Sequence, residues 1–158
     1  MLNFIKKQSV GIYLTAAAVL IGLVAFILYI INGSVSGYFQ GTNETAAVVM
    51  SVFALISLCG VIALSQFKFH GIIEIVVKCA IGILRVLGVI LLISTLMLFI
   101  SSRAEGLAFI FGSNADVIAE VQTPANMSSA GVAITGFAFY GIAWLVGLVG
   151  CFFKAVKQ

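Results

Sequence analysis

Charge is the scarcest property of this sequence. Lys, Arg, Asp and Glu supply 8% of its 158 residues, against 63% hydrophobic. Soluble domains carry about 25% charged residues, so this chain cannot cover a water-facing surface. Proline is nearly absent: Pro124 stands alone, in a polar stretch. There is one histidine, His70, which excludes a metal centre built on several histidines. Cys59, Cys79 and Cys151 fall inside or beside apolar runs and form no CxxC pair. They read as small buried hydrophobes, not as a disulfide framework. No metal or other cofactor is expected. The formal charge of +3 is not gathered into a basic stripe with interleaved aromatics, so no nucleic-acid partner is expected.

Four long apolar blocks remain, and the mean hydropathy is +1.27. They cover residues 10–31, 46–67, 72–100 and 131–153. Each meets the rule of about 17–25 apolar residues per bilayer crossing. Lipid offers the backbone no hydrogen bonds, so each block is expected to be a continuous helix. The first block follows Lys6 and Lys7 and is longer than the 7–15 residues of a cleavable signal core, so it is read as a retained span. The expected architecture is an all-α, up-down four-helix membrane bundle in one domain, with outer loops at 32–45 and 101–130.

Orientation follows from the basic residues. Lys6, Lys7, Lys68, Lys154 and Lys157 share one side of such a bundle. The other side holds Arg103 with Glu44, Glu105, Asp116 and Glu120. The positive-inside rule then places both termini in the cytoplasm, in the plasma membrane. Within the second outer loop, Ser113-Asn114-Ala115-Asp116 fits a capping box. It predicts a short amphipathic helix near residues 115–121, with Val117, Ile118 and Val121 on one face.

The third block carries the polar residues of most interest. Glu74, Lys78 and Arg85 fall on one stripe at about 100° per residue. Glu74 and Lys78 are spaced for an i, i+4 pair. Arg85 lies about 8 Å inside the inner hydrocarbon boundary, with no acid at its depth. Its candidate partners are lipid phosphate, backbone carbonyls, hydroxyls such as Ser57 or Thr15, or another subunit. Small residues recur at helix-packing spacing: Ala18 and Gly22 in the first block, Gly136, Gly141, Ala143 and Gly147 in the fourth. Tyr13, Tyr29 and Tyr38 fit an interfacial aromatic belt. The sequons Asn43-Glu44-Thr45 and Asn126-Met127-Ser128 lie on the outer side of this topology.

The opening stretch Asn3-Phe4-Ile5-Lys6-Lys7-Gln8-Ser9-Val10-Gly11, Gly37-Tyr38-Phe39, Leu84-Arg85-Val86 and Ser102-Arg103 together resemble small, uncharacterised four-span membrane proteins of Gram-positive bacteria. That resemblance implies a bacterial membrane protein and no particular activity. Small multidrug transporters carry a glutamate in their first span, thiol-oxidising quinone reductases a CxxC, and claudin-like proteins paired cysteines in the first outer loop. This chain has none of these.

The leading expectation is a non-catalytic accessory or scaffold subunit. Its partners would be membrane lipids, anionic on the inner leaflet, and another membrane protein or a second copy of itself. An oligomeric transporter or channel using Arg85 is the alternative. A lipid-modifying enzyme built on Ser57, Thr15, Arg85 and His70 is a third. The topology makes a direct prediction: a C-terminal green fluorescent protein fusion fluoresces in a bacterial host, and a C-terminal alkaline phosphatase fusion is inactive.

Overall fold

A computed structural model describes residues 9–67 and 70–155. Lys6, Lys7, Lys68 and Lys157, which enter the orientation argument, lie outside that range, as does the chain before Ser9. The described residues form five helices and no strand: α1 Val10–Ser34, α2 Thr45–Ser65, α3 Ile72–Gly112, α4 Ala115–Val121 and α5 Pro124–Cys151. All except α4 are long and apolar enough to cross a membrane. This is the make-up of a multi-pass membrane protein. Large apolar side chains such as Leu20, Phe53, Ile83 and Leu145 point outward, as a lipid solvent requires.

Helix ends follow local chemistry. Ser9 caps α1 by accepting from the Ile12 amide, and Thr123 caps α5 by accepting from the Asn126 amide. Pro124 occupies the first turn of α5, where its missing N–H costs nothing. α5 therefore begins well before residue 131. α3 is 41 residues long and runs past Ile100 to Gly112. The hydroxyl of Ser102 donates back to the Phe99 carbonyl at 3.0 Å, so this polar residue stays in the helix with its group satisfied. The expected 101–130 loop thus contracts to the short segments around α4. Asn114 caps α4, not Ser113: its side chain accepts from the Val117 amide at 3.0 Å. Ser113 donates to the Phe109 carbonyl instead. On α4, Val117, Ile118 and Val121 are half-buried, and Asp116 and Glu120 are exposed.

Packing follows a seam of small residues. In α1 the buried positions Gly11, Thr15, Ala18, Gly22, Ala25, Tyr29 and Asn32 alternate four and three apart. In α5, Ser129, Ala133, Gly136, Tyr140, Ala143, Gly147 and Gly150 do the same. That 3.5-residue period is the spacing of a coiled-coil seam. α1 packs chiefly on α5, and α2 on α3, with α3–α5 and α1–α2 contacts joining the two pairs. Ser9 Oγ donates to the Ala155 carbonyl at 2.8 Å at one end of the α1–α5 pair. Asn32 Nδ2 donates to the Ser129 carbonyl at 2.8 Å at the other. Tyr140 and Ser51 share a hydrogen bond of 2.7 Å that links α5 to α2 across the core.

The small residues act by leaving room. A Cβ on Gly147 would stand 3.1 Å from Val89 and 3.6 Å from Ala18. One on Gly22 would meet Leu55, Leu92 and Ala143 at 3.4, 3.5 and 3.8 Å, so all four long helices meet at that level. One on Gly136 would stand 2.7 Å from the Phe99 ring. Gly141 is to one side: it is half-buried, and its nearest neighbour for such a Cβ is Leu96 at 4.0 Å. Two expectations are corrected. Tyr29 is fully buried, not interfacial. Cys59 and Cys79 are exposed on the helix surfaces.

Gly136 and Gly131 make a matched test. Alanine at Gly136 must displace Phe99, so Gly136→Ala is expected to destabilise by about 1–3 kcal/mol. A Cβ on Gly131 would meet nothing within 4 Å, so Gly131→Ala gains helix propensity and is expected to be neutral or stabilising by up to about 1 kcal/mol. Thermal unfolding of the purified protein in mild detergent reads both.

Candidate functional site

Two arginines from α3 are buried, one towards each end of the helix set. Arg85 is 4% exposed and Arg103 is 0% exposed. Among the described residues the only ion pair is Lys78–Glu74 at 2.7 Å, so neither guanidinium sits on a carboxylate. A buried charge without an acid must be held by oriented dipoles.

Arg85 faces the helix interior, not lipid. Nε and Nη2 donate to Thr15 Oγ1 at 3.1 and 2.8 Å. Nη2 also donates to the Gly11 carbonyl. Nη1 donates to the Phe153 carbonyl at 2.8 Å, just beyond the end of α5, where helix carbonyls lack intrahelical partners and the dipole is negative. Thr15 donates its own proton to the Gly11 carbonyl at 2.8 Å, leaving its lone pairs for Arg85. The sequence makes the space with two glycines. A Cβ on Gly11 would lie 2.6 Å from the Lys154 carbonyl and 2.7 Å from Arg85 Nη2. One on Gly150 would lie 3.5 Å from Nη2. One side chain thus ties α3 to the start of α1 and the end of α5.

Arg103 does the corresponding work at the other end. Nε donates to Asn32 Oδ1 at 2.8 Å. Nη1 donates to the Thr42 carbonyl and hydroxyl at 3.0 and 2.6 Å, and Nη2 to Asn43 Oδ1 at 3.2 Å. Phe39, Phe99 and Tyr29 present ring centroids at 5.0, 5.7 and 6.0 Å from its central carbon, within cation–π range. Tyr29 is itself fixed, accepting from the Glu44 amide at 2.7 Å. Arg103 was expected in an outer loop as an ordinary basic residue. It is instead the largest fully buried side chain of the structure, and the α1–α2 connection is folded around it.

A cavity of about 390 Å³ lies beside Arg85, lined by Lys78, Ile81, Gly82, Arg85, Val86, Cys151, Phe153, Lys154 and Ala155. Lys78 and Arg85 thus do share a face. Glu74 is paired to Lys78 but makes no contact with Arg85. The cluster of Ser57, Thr15, Arg85 and His70 is not assembled. Thr15 and Arg85 meet, whereas His70 lies before the start of α3, whose rise from Ile72 to Arg85 is about 20 Å. Among the described residues no three His, Cys, Asp or Glu side chains are grouped to hold a metal ion. Of the small residues singled out from sequence, Ala18, Gly22, Gly136, Ala143 and Gly147 lie on the packing seams. Gly11, Gly150, Asn32 and Arg103 were not singled out. The seven-residue alternation of small positions in the first block would have found Gly11.

The chain matches no family model, no curated protein and no solved structure.

The geometry predicts that Thr15 is worth more than its size. Thr15→Val keeps the shape and removes the acceptor for two guanidinium N–H groups, so it is expected to destabilise by roughly 1.5–3 kcal/mol. In the Arg85→Lys background the same change is expected to add little, because lysine cannot reproduce the forked contact. A double-mutant cycle on thermal stability measures the coupling.

Proposed function

We propose that this chain is a non-catalytic accessory or scaffold subunit of the plasma membrane. Its four long helices run up-down-up-down, and both termini are cytoplasmic. α4 lies as an amphipathic helix on the outer surface. The observation that carries this reading is the use made of Arg85 and Arg103. Deeply placed ionisable groups in membrane helices ordinarily mark transport paths or chemistry. Here both direct their donors to carbonyls, hydroxyls and amides of the neighbouring segments, and so fasten helices together. Four of the five donors of each guanidinium go to holding the bundle, and its outer surface is left to meet other membrane components. Rows such as Leu20, Val24, Ile27 and Ile31 on α1 and Val49, Phe53 and Ile56 on α2 supply that surface.

The test is affinity purification from native membranes in mild detergent, followed by native mass spectrometry. A second protein in fixed stoichiometry is the expected result. A lone homo-oligomer would overturn the reading and direct attention to solute flux through wild-type and Arg85→Ala proteins in liposomes.

A further inference from the structure

We infer that the cavity beside Arg85 is a binding site for one anionic phospholipid, held by its phosphate. This rests on the membrane orientation proposed above and deepens it. Three cations from two separate segments line the cavity: Lys78 and Arg85 from α3, and Lys154 after α5. Among the described residues no carboxylate lines it. Glu74, paired with Lys78, is the nearby acid, and the side chains of that pair are 44% and 43% exposed. The remaining lining is apolar or small, including Ile81, Gly82 and Val86.

Depth suits a headgroup phosphate. Gly22, Leu92 and Ala143 meet where all four long helices converge, and we take that level as the bilayer centre. Arg85 lies seven residues towards the inner side, about 10 Å of rise, and Lys78 about 10 Å further. With a half-thickness of ~15 Å for the hydrocarbon, the two cations straddle the inner boundary, where lipid phosphates reside.

Arg85 also has capacity left. A guanidinium has five N–H donors, and its contacts to the described residues occupy four. The remaining one is on Nη1. Val86 both lines the cavity and is 51% exposed, so the cavity opens sideways onto the lipid-facing surface. A Cβ on Gly82 would meet nothing within 4 Å, which leaves room for glycerol and the first acyl carbons. A free phosphate has no use for these apolar walls, whereas a phospholipid fills both halves.

The test titrates the purified full-length protein in mild detergent with dioleoylphosphatidylglycerol, dioleoylphosphatidylcholine or inorganic phosphate, read by native mass spectrometry and thermal unfolding. The expected result is one phosphatidylglycerol retained under conditions that strip phosphatidylcholine. The double variant Lys78→Gln, Lys154→Gln changes exposed side chains and should keep the lipid-free melting temperature. It is expected to weaken phosphatidylglycerol roughly tenfold or more, as two lysines at an anionic interface imply. Gly82→Leu fills the cavity without changing charge and is expected to weaken it comparably. Equal retention of the two lipids, or unchanged phosphatidylglycerol binding in both variants, overturns the site. Stabilisation by inorganic phosphate without any preference for phosphatidylglycerol overturns the lipid as the source of the anion. Neither readout depends on a protein partner, so the accessory-subunit reading can fail while the lipid site stands, and the reverse.

Discussion

A guanidinium inside a protein has to be surrounded before the helices carrying and flanking it can settle, and Arg103 sets that constraint for one end of this one. Its partners come from Asn32 at the end of α1 and from Thr42 and Asn43 in the connection to α2. A charged arginine cannot shed its proton, so desolvation must be balanced by oriented oxygens and ring faces or the residue must leave the interior. The connection is built to meet that demand. The side chain of Asn43 lies against Gly33, where any Cβ would collide with it. Phe39 lies against Gly106 in the same way. Asn32 accepts from Arg103 with one end of its amide and donates to the Ser129 carbonyl with the other. The α1–α2 connection, α3 and the start of α5 are thereby fixed through one side chain.

Between the two arginines the packing runs on a different principle. Lipid gives no hydrophobic drive for helices to associate, since lipid tails are as apolar as leucine. Close approach of backbones and van der Waals contact must do the work instead. The alternating small residues of α1 and α5 serve this, and the bulk is placed where space remains. Phe99 is the clearest case. It fills the gap over Gly136 and stacks edge-on with Tyr29 and Phe137, with ring centroids 4.7 Å away in each case. Tyr140 adds a polar contact between helices, to Ser51, whose own proton can go to the Ala47 carbonyl. The core therefore has direction without charge.

The number of spans and most of their extent were legible because bilayer thickness imposes a length on any apolar run. The far end of α3 and the start of α5 were not. Ser101, Ser102 and Arg103 interrupt the hydropathy after Ile100, and a polar interruption in one dimension reads as a loop. In three dimensions Ser102 bonds to its own helix and Arg103 finds partners 60–71 positions away in the chain. No local pattern records such partners. Arg85 was legible as an anomaly because no acid shares its depth, and Thr15 was nameable as a partner because it is a hydroxyl at the right level. The carbonyls of Gly11 and Phe153 were beyond reach of that reasoning, since every residue has one. What selects them is the pair of glycines, Gly11 and Gly150, that lets the guanidinium come close.

The two arginines differ in a way that bears on function more than their shared burial does. Each has four donor contacts to described residues. At Arg103 the rest of the surroundings are aromatic rings and backbone, and the side chain is sealed at 0% exposure. At Arg85 one side is closed by Thr15, Gly11 and Phe153, and the other borders a cavity that Lys78 and Lys154 also line. A charge serving only to join helices is best enclosed on every side, so that dipoles and ring faces replace all of its lost hydration. Additional cations nearby would only raise its electrostatic cost. Arg103 obeys that logic and Arg85 does not. Lys154, and Lys78 with its partner Glu74, stand beside a guanidinium that pairs with no carboxylate among the described residues. An anion in the space between them would meet all three cations.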